Sequence, residues 1–369
     1  MAPLTQNRRL LFKCACWSTP NPESLVKPFK KLSGLLFVLS QLVAGFSAWV
    51  NLSESCCLQG LLSFLTKMPQ VFLVEPSVGE KMPQTHQWQW IPTHLTLEQF
   101  EEFVLPHLHL GSRGPQPKLS LHTIFNYILR LLYTGCQWKE LPIKQNKAGQ
   151  PEIHYTRIYS AFRRFEAQGC FDAIFAETGV LLHQQEYLDI SVIHGDGTTT
   201  AAKKGGDNLG FSGHKHLKGD KVVAFCDRNC NVIAPFISDP GNRNESPLLQ
   251  AALPQVTRIA KTVGLDLNQT LVSLDGVYDS RANRKAIFNR GMMPNIPANP
   301  RGRKTPKRGR KPIFDPAIFQ EHFFTIERVF AWEDKFRRLL LRFERISGLH
   351  YALKTLAYTM INLRHFCQS

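Results

Sequence analysis

The chain has 369 residues, 43% of them hydrophobic, with 45 lysines and arginines against 29 acids and a formal net charge of +16. That hydrophobic share excludes an intrinsically disordered chain, and the length suffices for two ordinary domains. The basic excess, with a pI of about 9.6, calls for a polyanionic partner, either nucleic acid or an anionic membrane surface.

Nine cysteines, an odd number at irregular spacing in a long chain, exclude a disulfide framework and fit reduced cytoplasmic thiols. Cys226-x-x-x-Cys230 has no second Cys or His pair to complete a metal set. The expectation is two cysteines in a hairpin around Asp-Arg-Asn.

Residues 1–87 read as an N-terminal extension. Its stretch 32–53, "LSGLLFVLSQLVAGFSAWVNLS", is free of charge and follows Lys27, Lys30 and Lys31. Three readings compete: a membrane helix, a buried or dimerising helix, and sequence upstream of the true start. The last is preferred, with Met68 and Met82 as internal starts, so membrane association is not expected.

Residues 88–185 read as a helical domain. "HLTLEQFEEFVLPHL" carries a Thr96 cap and apolar residues at helical spacing, and "GSRGPQPK" breaks it. A second helix opens at Ser120, lines up Ile124, Ile128, Leu131 and Leu132, and is closed by Gly135 and Pro142. After a polar loop at 144–152, "HYTRIYSAFRRFEAQGCFDAIFAETGVLL" holds two helical runs parted near Gly169. Arg157, Arg163 and Arg164 make this a helix-turn-helix-like DNA contact, or a plain bundle with solvated arginines.

From residue 186 the period changes. "YLDISVIHGD" is a β-run, "KVVAFCD" and "NVIAPFIS" a hairpin, and "ESPLLQAALPQVTRIAKTVG" a helix that tolerates Pro254 badly. "QTLVSLD" is a further strand, "RANRKAIFNRG" a short helix and "MMPNIPANP" a strand-like exit. A basic insertion at 300–312 follows, then helix from 314 to 366. The order describes an α/β domain with a mixed sheet flanked by helices.

Two strands end alike, Asp196 after "DISVIHG" and Asp275 after "TLVSL", each followed by glycine. Carboxyl ends of strands are where open α/β sheets collect ligands. Neighbouring carboxylates repel, so such a pair needs a cation, and hard oxygen donors select magnesium or manganese. Glu327 is the third acid, bordering an apolar stripe of Phe319, Phe323, Ile326 and Phe330, with a basic stripe of Arg328, Lys335, Arg338 and Arg342 at helical spacing behind it. Singly, each acid is more often a turn residue or a solvated charge. His194 remains an extra candidate. Asp279, beside Ser280, is expected to help cap the next helix.

Residues 95–366 resemble the DDE transposases of bacterial insertion sequences. The resemblance rests on "LYTGCQWKELP", "GDGTTTAAKK", "LVSLDGVYDS", "IERVFAWEDKFRRLLLRFER" and "AYTMINLRHF". It implies a ribonuclease H-like catalytic core. It also implies that Asp196, Asp275 and Glu327 bind the metal, two ions of magnesium or manganese. Tyr278 matches the aromatic that commonly follows the second acid. Two positions depart: Phe323 where relatives often carry arginine, and Gly276-Val277 after the second acid. The implied activity is cleavage of transposon ends and their joining to target DNA. The implied setting is a bacterial cytoplasm, with a homodimer on double-stranded DNA. The alternative is a DNA-binding descendant without catalysis. Lys203, Lys204, Lys215, Lys218 and the run 301–311 are the expected phosphate contacts.

Overall fold

The computed structural model describes residues 90–109, 119–299 and 311–367, all within one compact unit, Pro83–Ser369. The apolar stretch at 32–53, the methionines at 68 and 82, and the basic run apart from Lys311 lie outside the described residues. Among the described residues no helix is long and apolar enough to cross a membrane.

Helix α1, Leu97–Phe103, opens on a capping box: the Thr96 hydroxyl accepts from the Gln99 amide and the Gln99 side chain accepts from the Thr96 amide. Helix α2, Leu121–Thr134, is capped by Ser120 and buries Ile124, Ile128, Leu131 and Leu132 together. Gly135 ends it at φ 72°, where a β-carbon would lie 3.0 Å from the Arg337 backbone. Helices α3, Tyr155–Ala167, and α4, Cys170–Gln184, are parted at Gly169, φ 69°.

Six strands form one sheet: β1 Val192–Ala201, β2 Gly210–Ser212, β3 Leu217–Asp227, β4 Val232–Pro240, β5 Leu271–Leu274 and β6 Met293–Asn295. β3 runs antiparallel to β1, and its outer edge carries β2 and then β4, both antiparallel. β5 and β6 follow on the other side of β1, parallel to it. Helix α5, Glu245–Val263, precedes β5, and α6, Arg281–Phe288, precedes β6. An antiparallel trio extended by two parallel, helix-connected strands is the mixed sheet of a ribonuclease H-like domain. Helices α7, Pro316–Asp334, and α8, Ser347–Leu363, complete the chain.

The pleat sorts β3 by alternate residues. Ala224 and Cys226 join a core shared with α1 to α4, α7 and α8, while Val223 and Phe225 pack under α5 with Leu249, Leu253 and Val256. Both faces are covered, so β3 is buried without a break from Gly219 to Asp227.

Three local expectations are corrected. Asp196 does not end its strand: β1 runs on to Ala201 because β3 keeps pairing with it beyond β5's reach. Pro254 lies within α5, which continues through it. The helix expected across 314–366 stops at Asp334, and residues 335–346 are irregular. There the Arg342 amide donates to the Ala201 carbonyl, drawing the segment beside the end of β1.

Candidate active site

The parallel register of β1 on β5 ends with Gly195 opposite Leu274. The next residue after each is an aspartate, Asp196 still within β1 and Asp275 just past the end of β5, so the two leave neighbouring strands side by side. Close packing makes this edge: a β-carbon at Gly195 would sit 2.6 Å from the Phe225 ring and 2.9 Å from Leu274. Each aspartate accepts a hydrogen bond from the following glycine amide, at 2.7 Å for Asp196 and 2.6 Å for Asp275.

Helix α7 lies across β1, β3 and β5. Its buried face is His322, Thr325, Ile326, Val329 and Glu333, so the expected stripe is rotated: Phe323 is exposed and Phe319 and Phe330 only half-buried. The reason is its seat on the sheet, where His322 stands with its ring centroid 5.8 Å from that of His194. Glu327 and Asp275 are exposed and Asp196 half-buried.

The electrostatics tie these acids together. Burial lifts the Asp196 carboxyl to about 7; the Gly197 amide opposes this, and the charges of Glu245, Glu327 and Asp275 reinforce it. Four carboxylates therefore share one neighbourhood. Among the described residues no group of three His, Cys, Asp or Glu side chains is arranged as a ready metal cage. The donor chemistry nevertheless fits a hard divalent cation: all four groups are carboxylates, and Asp196 carries a burial and repulsion cost that a cation would relieve.

His194, two residues before Asp196, is fully buried with neither ring nitrogen hydrogen-bonded. Burial, then the charges of His322 and Arg228, drive its pKa down to about 3. His322 is held at about 4 by burial, against the pull of Asp275 and a hydrogen bond to the Ser273 backbone. Both rings are neutral near pH 7. Glu321 beside them is occupied by Arg228, at 3.0 and 2.6 Å.

Glu245 escaped the sequence reading. It is the first residue of α5, after the Asn244 cap, a place where an acid reads as a partner of the helix dipole. Asp279 does not cap α6, because the Ser280 hydroxyl does so by accepting from the Asn283 amide. The Asp279 carboxylate instead pairs with Arg284 at 3.1 Å and accepts from the Asn299 amide.

The basic residues divide. Arg157, Arg163 and Arg164 are exposed on α3, and Lys203, Lys204, Lys215 and Lys218 are exposed near β1 to β3. The stripe of Arg328, Lys335, Arg338 and Arg342 does not form, because α7 ends before three of them. Arg328 acts on Cys230 and Arg364. Lys335 donates to the Ile91 carbonyl and stands 4.5 Å over the Trp90 ring. Arg338 is buried against Glu344 and Arg342 against Asp207 and Asp220. Cys226 and Cys230 are buried free thiols, Cys230 in the turn at φ 62° rather than across the hairpin.

Residues 187–363 match the family model described as the transposase DDE domain. This segment, a little under half of the chain, is similar to transposase DDE domains. Two solved structures share features with the chain. One is the Mos1 transposase paired-end complex with left transposon end, at 14% identity and TM-score 0.22, covering 59% of this chain and 69% of that one. The other is a pre-cleavage Mos1 transpososome, at 12% identity and TM-score 0.23, covering 70% of this chain and 81% of that one. Scores this low carry no weight for the fold of this segment, which rests on its strand order. A search of curated proteins gave no match.

Proposed function

We propose that the chain is a transposase that binds the ends of a mobile DNA element and catalyses metal-dependent strand cleavage and strand transfer at Asp196, Asp275 and Glu327. The observation that carries this reading is the register setting Asp196 beside Asp275, with Glu327 acting on the same carboxyl. A DDE domain with crowded carboxylates at a sheet edge is suited to phosphoryl transfer, where positioning and charge supply most of the acceleration.

Asp196, Asp275 and Glu327 would hold magnesium or manganese, two ions in the full site. When bound, these supply Lewis acidity toward a phosphodiester and toward the attacking water or 3′-hydroxyl. The chain's own part is to orient and exclude. Gly197 and Gly276 each fix one oxygen of an aspartate, leaving the other for a ligand. The neutral, buried His194 and His322 wall off water behind the sheet edge. Exposed Arg157, Arg163 and Arg164, with Lys203 and Lys204, are the proposed contacts to duplex phosphates. A homodimer would bring two ends together.

The test is purified protein with DNA carrying the element's terminal repeats. Nicking in magnesium that D196A abolishes, with end binding retained, is the expected result. Equal cutting by D196A removes the catalytic assignment. Salt-sensitive binding by the wild type without magnesium-dependent cutting would instead identify a non-catalytic descendant.

A further inference from the structure

A surface helix usually turns its polar face straight to water. Helix α2 does not. Thr123, Asn126, Tyr127, Arg130, Tyr133 and Thr134 recur at helical spacing along it, away from its apolar core residues. These six line a cavity of about 440 Å³.

Two other segments complete the cavity, and side chains of this helix hold both in place. The Leu95 amide donates to Oδ1 of Asn126, and the Asn126 side chain donates back to the Leu95 carbonyl, both at 2.9 Å. That pair brings Thr93 and His94 to the lining. The Lys144 amide donates to the Tyr127 hydroxyl at 2.9 Å, and the same hydroxyl donates to Glu152. That pair brings Lys144 to it. The cavity is therefore a built groove, not a gap between loops.

Its chemistry is one-sided. Among the described residues no carboxylate lines it, while Arg130 and Lys144 supply two cations. Neither cation has a hydrogen-bond or ion-pair partner among the described residues. Arg228, Arg284, Arg338 and Arg342, by contrast, are each taken up by an acid. Tyr133, three residues after Arg130 and so its neighbour on the helix, is 39% exposed. Its carbonyl accepts from the Arg337 amide at 3.2 Å, which fixes the backbone from which the ring projects.

Unpaired cations on an open surface are ordinary solvated charges. In a concave site without acids the same pair attracts an anion, and the guanidinium fork matches a phosphate. An aromatic ring beside them offers a face on which a planar base stacks. A cavity of this size takes a ligand no larger than a few nucleotide units. A double helix, whose phosphates lie on a convex surface, can touch the mouth but cannot fill it.

We propose that this groove binds unpaired nucleotides of a DNA strand, with phosphate oxygens on Arg130 and Lys144 and a base against the Tyr133 ring. This rests on the reading of the chain as a DNA-binding transposase, but not on its carboxylates. Strand cleavage frees ends that can leave their complement, and such ends are the ligand.

Fluorescence anisotropy decides it, using a labelled oligothymidylate, which forms no duplex, and a mixed-sequence duplex, each with the full chain in EDTA. Far-UV circular dichroism confirms the fold of each variant. Wild type is expected to bind the single strand. R130A/K144A is expected to weaken that binding by at least about tenfold and to lower the slope of log affinity against log salt by about 1.4, the counterion release of two single-strand phosphates. Y133A is expected to weaken it by at least about fivefold with the slope unchanged, because stacking releases no counterions, and Y133F is expected to bind like wild type. Single-strand binding that survives both R130A/K144A and Y133A overturns the proposal. An equal loss on the duplex also overturns it, because the cations would then belong to a general basic surface. Thymidine monophosphate that displaces the oligomer as well as unlabelled oligomer does would make the occupant a free nucleotide, again overturning it. Duplex binding without single-strand binding overturns it and leaves the proposed function standing. A wild-type chain that binds neither defeats the proposed function instead.

Discussion

Replacing Asp196 by asparagine should stabilise the metal-free protein at pH 8. The carboxyl is held at about 7 against an ordinary value of 3.8, by burial and by the charges of Glu245, Glu327 and Asp275. A raised acid means that the folded state binds the proton more readily than the unfolded state. The cost is therefore absent below about pH 4, grows as pH rises toward 7, and is constant above that. Taken at face value the displacement amounts to about 4 kcal/mol; screening at a half-buried group reduces it to about 1–2 kcal/mol. Asparagine keeps an acceptor for the Gly197 amide and removes the charge. Urea unfolding in EDTA should show D196N more stable than wild type at pH 8, with the gap closing toward pH 4. Excess magnesium should reverse the order, since a ligand at a hundred times its Kd stabilises by about 2.7 kcal/mol and D196N has lost a ligand atom for it. If D196N in EDTA is no more stable than wild type at pH 8, the carboxylates are not crowded as described.

Further outcomes test other parts of the molecule. Lys354, fully buried, pairs with Glu333, which also accepts from the Tyr358 hydroxyl at 2.7 Å; K354M should cost about 3–5 kcal/mol in urea unfolding by stranding that carboxylate. Asn362 accepts from the Val232 amide and donates to its carbonyl, both at 2.9 Å, so N362A should cost about 2–4 kcal/mol by leaving two buried backbone groups unpaired. A β-carbon at Gly219 would fall 2.0 Å from the Thr200 carbonyl oxygen; G219A should fail to give a folded protein, with lost near-ultraviolet dichroism as the readout. Neutralising Arg157, Arg163 and Arg164 together should lower the slope of log affinity against log salt by up to about 3. An unchanged slope would mean that α3 does not touch the duplex.

Local chemistry was the legible part of the fold. Thr96, Ser120, Gly135 and Gly169 punctuate their helices where side-chain capping and left-handed glycine require, and β3 with β4 form the hairpin that their alternation announces. Asp196 and Asp275 were legible as a pair because each follows an apolar run that can only be a buried strand. What the residues alone did not reveal is that β1 continues past Asp196, since that depends on β3 being long enough to keep pairing. The buried face of α7 was misread for a related reason. Phenylalanine looks like core, yet the sheet receives His322 and Thr325, and Phe323 faces outward. Glu245 gave only the signal of a helix-opening acid.

The misread basic stripe has the widest consequence. Arg338 and Arg342 recur at helical spacing, which is also the spacing of a surface stripe, but Arg338 is taken up by Glu344 and the Cys136 carbonyl, and Arg342 by Asp207 and Asp220, which are remote in sequence. The Arg342 guanidinium on Asp207, with the Arg342 amide on the Ala201 carbonyl, fastens the irregular segment between α7 and α8 beside the end of β1. Lys354 and Arg364 are likewise spent inside. A formal charge of +16 therefore overstates what a polyanion meets along this segment. The outward-facing charge comes instead from lysines near β1 to β3 and arginines on α3, two groups separated in sequence by α4 and the first part of β1 with Asp196. On the proposed function, a phosphate brought to the carboxylate edge meets like charge, and a bound cation makes its approach favourable. On that reading metal binding and productive DNA binding should be coupled: without a cation the acids would repel a strand that the basic surfaces are proposed to hold.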